Sequence, residues 1–285
     1  MTRLTPVMIE EVPFTLHGRD GDLQRKLGVS LKDLAFEALR LCKDDLDLAS
    51  LKVAAVPVSS GAGVIPTFCR SVCAVTQHLG MSSFVTRKGD VAGMAEAIAE
   101  GADIIFIADD EEFIAFNVQG GMFSENSRST ALGYCTALEM AAGGLRGKDV
   151  LVIGAGRMGQ WVIEWLGAAG ARVSAVDTDP AKAALARERF GVTVIEDPEE
   201  GIRNAELIFN ASPARIPGPW IREGAIIASP GVPYGFDREG EERARLIVHD
   251  PLQIGVAVMA VWSAMYSGRP APNLGPAPAM AAAEQ

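Results

Sequence analysis

Asp149-Val150-Leu151-Val152-Ile153-Gly154-Ala155-Gly156-Arg157-Met158-Gly159 is the stretch whose reading decides the fold. A short apolar, β-branched run passes straight into a glycine turn, and Gln160 to Ala169 then reads as a helix with Trp161, Val162, Trp165 and Leu166 on its inner face. Gly170 ends the helix, Arg172 to Val176 reads as a second strand, and Asp177 stands at its carboxyl end, 23 residues after Gly154. Glycine is common here, at 30 of 285 residues, so a triplet alone is weak evidence. The strand before it, the helix after it and the terminal acid make it a dinucleotide-binding unit.

Each glycine then has a task. Gly154 makes the tight turn, Gly156 lets backbone approach a pyrophosphate, and Gly159 lets helix and strand pack closely. The phosphates rest on the helix N-terminus beside Arg157 and Met158, where free N–H groups and the helix dipole favour negative charge. Asp177 is placed to accept hydrogen bonds from the ribose hydroxyls and to repel a 2′-phosphate, so the expected cofactor is NAD. Arg187 and Arg189 leave NADP open.

Downstream, Pro180 to Arg189 reads as helix, and Val192–Ile195, Leu207–Asn210, Ala225–Ser229 and Ala244–Val248 read as strands. Loops at strand carboxyl ends lie along the cofactor in such a fold, which brings in Ser212 of Ala211-Ser212-Pro213 and Pro230 of Pro230-Gly231. Asp250 follows the last strand. Ile254 to Tyr266 is a strongly apolar helix expected to pack back on the first domain or between the two. Residues 268–285, rich in Ala, Pro and Gly, are expected to be disordered.

Upstream, Leu4-Thr5-Pro6 opens a helix with Val7, Ile9, Val12, Phe14 and Leu16 on its apolar face. Gly18-Arg19-Asp20-Gly21 breaks it, Leu23 to Leu27 is a short helix, and Ser30 caps another running to Cys42. Lys52 to Val58 is a strand entering the turn Ser59-Ser60-Gly61-Ala62-Gly63. Then come a helix from Ile65 to Leu79, a strand at Ser83 to Val85, a helix from Val91 to Glu100 and a strand over 102–108. This alternation predicts a small parallel sheet. The last of these strands delivers Asp109-Asp110-Glu111-Glu112, with Asp109 expected beside Ser59 and Ser60. Asn117 to Glu125 reads as a glycine-rich loop, and Asn126 starts a long connecting helix that Gly143-Gly144 ends. The fold class is therefore α/β, with a C-terminal Rossmann NAD-binding domain (146–250) and an N-terminal domain (1–145) that starts helical and continues as a small α/β unit. Residues 251–267 form the returning helix.

A chain with 48% hydrophobic and 22% charged residues can fill two cores. A net charge of −10 and a pI near 4.9 argue against nucleic acid or an anionic membrane as partner, and suit a cationic small molecule. No apolar run reaches the length of a membrane span, and residues 1–20 lack the basic start and apolar centre of a signal peptide, so a cytoplasmic location is expected. The four cysteines, Cys42, Cys69, Cys73 and Cys135, are expected to be buried reduced thiols, and no metal-ligand spacing is present.

The strand ends lack a well-placed His or Lys of the kind that handles an oxygen-bound proton. They offer Ser60, Asp109, Asn126 and Asp250, a set suited to holding ammonium groups and accepting their protons. An amine substrate follows. Several separated stretches then resemble one family, the 3-methylornithyl-lysine dehydrogenase of pyrrolysine biosynthesis. They are Leu4-Thr5-Pro6, Pro57 to Gly61, Ala108-Asp109-Asp110 with Phe113 and Asn117, Asn126, the glycine unit, Ala211-Ser212-Pro213, Ser229 to Pro233 and Asp250 to Gly255. The resemblance covers about residues 1–266. It implies a substrate site lined by Leu4, Ser60, Asp109, Asn126 and Asp250, and NAD-dependent oxidation of the ornithine-derived terminal amine of L-lysine-Nε-3-methyl-D-ornithine. Ammonia is then lost and the ring closes. Asp109 and Asp250 are expected to face each other across the cleft, one of them taking the proton. Expected partners are the small-molecule substrate and a second copy in a homodimer. Two other readings stay open, a shikimate- or ornithine-type dehydrogenase or cyclodeaminase, and a non-catalytic NAD sensor.

Overall fold

Residues 4–267 are described by the computed structural model, and the Ala/Pro-rich tail lies outside them. The chain begins with α1 (Pro6–Ile9) and α2 (Val12–Leu27), followed by α3 (Leu31–Ala38). The expected break at Gly18 to Gly21 does not occur, because Val12, Leu16 and Leu23 bury one face of α2 and the helix runs on to the left-handed Gly28. The start is two helices rather than one through Leu16. Ser30 caps α3 as expected, accepting from Asp33 N while the Asp33 carboxylate accepts from Ser30 N. That helix stops at Ala38, short of Cys42.

The first sheet is built from β1 (Lys52–Val56), α4 (Phe68–His78), β2 (Ser82–Val85), α5 (Asp90–Ala99), β3 (Ile104–Ala108), β4 (Phe113–Asn117) and β5 (Met122–Glu125). Its order is β2-β1-β3-β4-β5. The first three strands are parallel, but β4 and β5 are antiparallel, so the sheet is mixed and the expected loop over 117–125 is half of a hairpin. The connecting helix α6 (Asn126–Ala142) ends at Gly143, whose φ of 66° lets its N–H turn back to the Glu139 and Met140 carbonyls.

The second sheet comprises β6 (Asp149–Ile153), α7 (Arg157–Ala168), β7 (Arg172–Val176), α8 (Pro180–Phe190), β8 (Thr193–Val194), α9 (Pro198–Asn204), β9 (Leu207–Asn210), β10 (Ile226–Ala228), α10 (Arg238–Arg243) and β11 (Leu246–Val248). Sequence periodicity did not reveal the short α9 and α10. All pairings are parallel, in the order β11-β10-β9-β6-β7-β8, which is the doubly wound dinucleotide-binding order with its switch point between β6 and β9. The chain then returns as α11 (Gln253–Ala264), buried along its whole length against α6, α3, α4 and the β4–β5 hairpin. One hydrophobic core runs from Ile9 through Val150 to Met265, so the two sheets share an interior.

Of the cysteines, Cys73 and Cys135 are buried, Cys69 is half-buried and Cys42 is exposed, which corrects the expectation for the last. Among the described residues no helix is long and apolar enough to cross a membrane.

Candidate functional site

Both sheets aim their switch points at one cavity of about 520 Å³. In the first sheet the switch lies between β1 and β3, so the turns after those strands, carrying Ser60 and Asp109, open into the same space. The two turns are tied together. Asp110 Oδ2 accepts from Ala62 N at 2.6 Å, and Asp90 accepts from the Ser59 backbone at 2.7 Å and from its hydroxyl at 2.6 Å. Asp90 holds a left-handed φ of 54°, an uncommon conformation for a side chain with a Cβ, which fixes the Ser59–Gly63 turn in place. Asp109 Oδ1 accepts from the N–H groups of Glu112 and Glu111, both at 2.8 Å, and those bonds hold its carboxyl below the ordinary value.

From the other side come the glycine turn, the loop after β9 and the segment after β11. Gly154 has a φ of 92°, and a Cβ there would press on Ser212 at 3.2 Å. A Cβ on Gly159 would collide with the Gly154 carbonyl, so helix and turn touch as the motif requires. Beside Gly156, by contrast, an added Cβ meets nothing within 4 Å, and α7 starts there with no side-chain cap. That open space in front of uncapped N–H groups fits a pyrophosphate. Asp177 is engaged with the turn. Its Oδ2 accepts from Ala155 N at 2.7 Å and its Oδ1 from Asp179 N at 2.8 Å.

Asp250 is the buried carboxylate of the cavity, at 8% exposure. It caps α11, accepting from Leu252 N at 2.9 Å and from Ile254 N at 3.3 Å, while Tyr134 on α6 clamps its backbone with bonds of 2.7 and 2.8 Å. Burial pushes its carboxyl above the ordinary value against the opposing pull of His249 and those N–H donors. Asn126, with Thr130 a turn later, faces Gly255 at the start of α11, where a Cβ would stand 3.1 Å from Asn126 Oδ1.

Of the residues expected from sequence, Leu4, Ser60, Asp109, Asn126, Gly156, Arg157, Met158, Gly159, Ser212, Pro230 and Asp250 all line the cavity, whereas Gly154 and Asp177 stand behind it. Arg157 additionally pairs with Glu112 at 3.1 Å and lies 3.7 Å from Glu125, linking the glycine turn to the first domain. Cys69 also lines the space, but burial pushes its thiol up to about 11, so it stays neutral.

Two groups escaped the sequence reading. Lys182, the third residue of α8, lines the cavity, so the site does hold a lysine, and the basic residue of α8 that reaches it is neither Arg187 nor Arg189. Arg189 is bonded to Gln160 at 3.0 Å instead. His249 adjoins Asp250, with Nδ1 2.7 Å from the Ser229 carbonyl. Its position next to Asp250 was visible, but its orientation was not. Among the described residues no cluster of His, Cys, Asp and Glu could hold a metal ion.

Residues 8–124 match the family described as "Pyrrolysine biosynthesis protein PylD, N-terminal domain", and residues 149–218 match "NADP oxidoreductase coenzyme F420-dependent". The pyrrolysine synthase of Methanosarcina acetivorans is 34% identical over 266 residues, covering 91% of this chain and 98% of the relative. The chain belongs to the pyrrolysine synthase family. The Methanosarcina barkeri member is 33% identical, with 91% and 97% covered. Among solved structures, the fold resembles a Thermus thermophilus shikimate 5-dehydrogenase in complex with NADP(H) and shikimate (TM-score 0.52, 17% identity, 77% of this chain and 94% of that one). It also resembles a Corynebacterium glutamicum quinate dehydrogenase in complex with NAD (TM-score 0.51, 13% identity, 77% and 94% covered). Family and fold together make this an oxidoreductase with a pyridine-nucleotide site.

Proposed function

We propose that the protein oxidises the terminal amine of L-lysine-Nε-3-methyl-D-ornithine with NAD and thereby forms pyrrolysine. The observation that carries this reading is the single cavity whose walls are the glycine turn on one side and Ser60, Asp109, Asn126 and Asp250 on the other. When bound, the dinucleotide supplies the hydride acceptor, and Asp177 favours the form without a 2′-phosphate.

The chain's own residues do the rest. Asp109, kept ionised by two backbone N–H groups, attracts an ammonium. Asp250, whose carboxyl prefers the proton because it is buried, takes one from the reacting ammonium so that the amine nitrogen can push hydride off its carbon. Ser60 and Asn126 orient the polar ends, and Leu4, Phe68 and Phe113 cover the apolar chain and exclude water. Oxidation leaves a substrate imine, water converts it to the aldehyde with loss of ammonia, and the α-amine closes on that aldehyde with loss of water.

Mass spectrometry of the product from purified protein, NAD and the synthetic substrate tests this. A product lighter by one ammonia and two hydrogens is expected, with no NADH formed from shikimate or quinate. NADH formation from either acid but not from the amine would move the protein to another activity.

A further inference from the structure

Asp250 belongs to two walls. It lines the large cavity, and it also lines a second cavity of about 60 Å³ together with His249 and Gln253. His249 lines in turn an open groove beside Tyr234, Glu241 and Arg245. Asp250 is not part of that groove, and His249 is not part of the large cavity. Asp250 is thus the wall between the large and small cavities, and His249, with Arg19 and Lys26, the wall between the small cavity and the groove, while Val232 and Pro251 line both the large cavity and the groove.

The small cavity is built to hold water. A water needs about 10–15 Å³ of such space and two or more polar partners. Gln253 supplies one, since its side chain is 2% exposed and its Nε2 has no hydrogen-bond partner among the described residues. A buried amide donor demands an acceptor. His249 supplies another. Its Nδ1 faces a carbonyl oxygen, which only accepts, so Nδ1 carries the proton and Nε2 offers a lone pair.

We infer that Asp250 passes the proton it takes from substrate through water in the small cavity to Nε2 of His249, which releases it through the groove to bulk solvent. This rests on Asp250 being the base. Substrate and dinucleotide bound in the large cavity would close that side of Asp250, and the small cavity, walled by Arg19, Asp22 and Lys26 as well as His249, is then its remaining way to water among the described residues. Each step moves a proton alone. The substrate N–H breaks as an O–H forms on Asp250, that O–H breaks as water accepts its proton and donates another to Nε2, and the imidazolium gives its Nε2 proton to solvent.

The surrounding charges agree. Burial raises the Asp250 carboxyl and lowers the His249 imidazolium, shifts that move the two toward each other. Asp250 favours a charged His249, while Arg19 and Lys26 on α2 oppose it and so promote release. Asp20 and Asp22 also face the small cavity, but Asp20 is held by His78 at 2.9 Å. On the groove side Tyr234 packs on the imidazole at 4.8 Å between ring centres, with Glu241 and Arg245 at the rim, and Tyr134 fixes the Asp250 backbone from α6.

The test is His249→Asn, whose amide nitrogen replaces Nδ1 as donor to Ser229 while the titrating nitrogen is lost. In single turnovers with excess enzyme, NAD and L-lysine-Nε-3-methyl-D-ornithine in weak buffer, NADH absorbance and a pH-indicator dye are followed together. In the unmodified protein the proton appears with NADH. In the variant it should lag by about tenfold or more, kcat should fall with KM and NAD affinity unchanged, and free imidazole should restore both. Proton release in step with NADH in the variant would overturn the relay. Asp250→Asn separates the two ideas, since retained first-turnover NADH formation would remove the base itself. Imidazole-ring NMR needs no turnover: the chain has 3 histidines, and the His249 titration should move to lower pH in Asp250→Asn. An unmoved titration would also count against coupling of the two groups.

Discussion

Replacing Asp177 with Ser tests cofactor choice most directly, because its carboxylate is placed for two jobs at once. In the proposed NAD complex it would offer a charged acceptor to ribose hydroxyls, and a hydrogen bond to a charged group is worth about 1.5–3 kcal/mol. At about 1.4 kcal/mol per tenfold change, loss of that bond should weaken NAD binding by roughly ten- to a hundredfold. Toward the protein, Asp177 holds Ala155 N and Asp179 N. Ala155 is fully buried, so its orphaned N–H should cost a further ~1–3 kcal/mol of stability. Adding Arg at Thr178 should give the 2′-phosphate of NADP a partner, with Lys182 in the first turn of α8 also lining the cavity. Calorimetric titration of NAD and NADP into the single and double variants reads the outcome. NAD affinity should fall in both, NADP affinity should rise in the double variant, and Lys182→Met should take part of that gain away. If the unmodified protein binds NADP more tightly than NAD, the repulsion argument is refuted.

Gly156→Val should abolish dinucleotide binding by filling the open space beside the turn, with an unchanged melting temperature as control. Asp109→Asn and Asp250→Asn should each lower turnover on the order of a hundredfold while NAD affinity survives. Near-normal turnover in both, at neutral and at high pH, would leave Asp109 a turn residue and Asp250 a helix cap. Because the folded Asp250 carboxyl lies above its unfolded value, it contributes stability fully present below about pH 3.9, lost as pH rises through the raised value. The melting temperature of the unmodified protein relative to Asp250→Asn should therefore decline with rising pH, and a flat or rising difference would contradict a buried, raised carboxyl. Gly133→Leu should cost about 1–3 kcal/mol by overpacking, since even a Cβ there runs into Ile254 Cγ2 and stands 3.1 Å from Val258 Cγ2. Equal denaturation midpoints would show that α6 and α11 part easily.

The dinucleotide unit was legible because its signals are local. The apolar run at Asp149–Ile153, the glycines behind it and Asp177 all act within one strand-turn-helix unit, and the observed strand order follows. Helix α2 was not, because its continuation through Gly18 and Gly21 depends on Leu16 and Leu23 packing against elements far along the chain. Strand β4 alternates buried and half-buried residues from Phe113 to Asn117, but Gly120-Gly121 beyond it masked the hairpin. Asn117 is buried because its amide donates to the Ser263 carbonyl at 2.9 Å, a partner 146 residues away. The strand-end residues Ser60, Asp109 and Asp250 could be placed by the rule that ligands gather at such ends. The approach of Lys182 from α8 and the orientation of His249 could not, since they depend on how helices and loops lie over the sheet.

The return of α11 inverts the order in which the molecule can be finished during synthesis. The dinucleotide sheet is complete once β11 has been made, whereas the domain that precedes it lacks its central helix until Gln253 to Ala264 emerge. From the end of α6 at Ala142 to the start of α11, at roughly 5–20 residues per second, the wait lasts on the order of 5–20 seconds. Through that interval the faces of α3, α4 and α6 that α11 will cover are open to water. A chain that stops anywhere before residue 253 leaves that apolar surface without the helix that covers it.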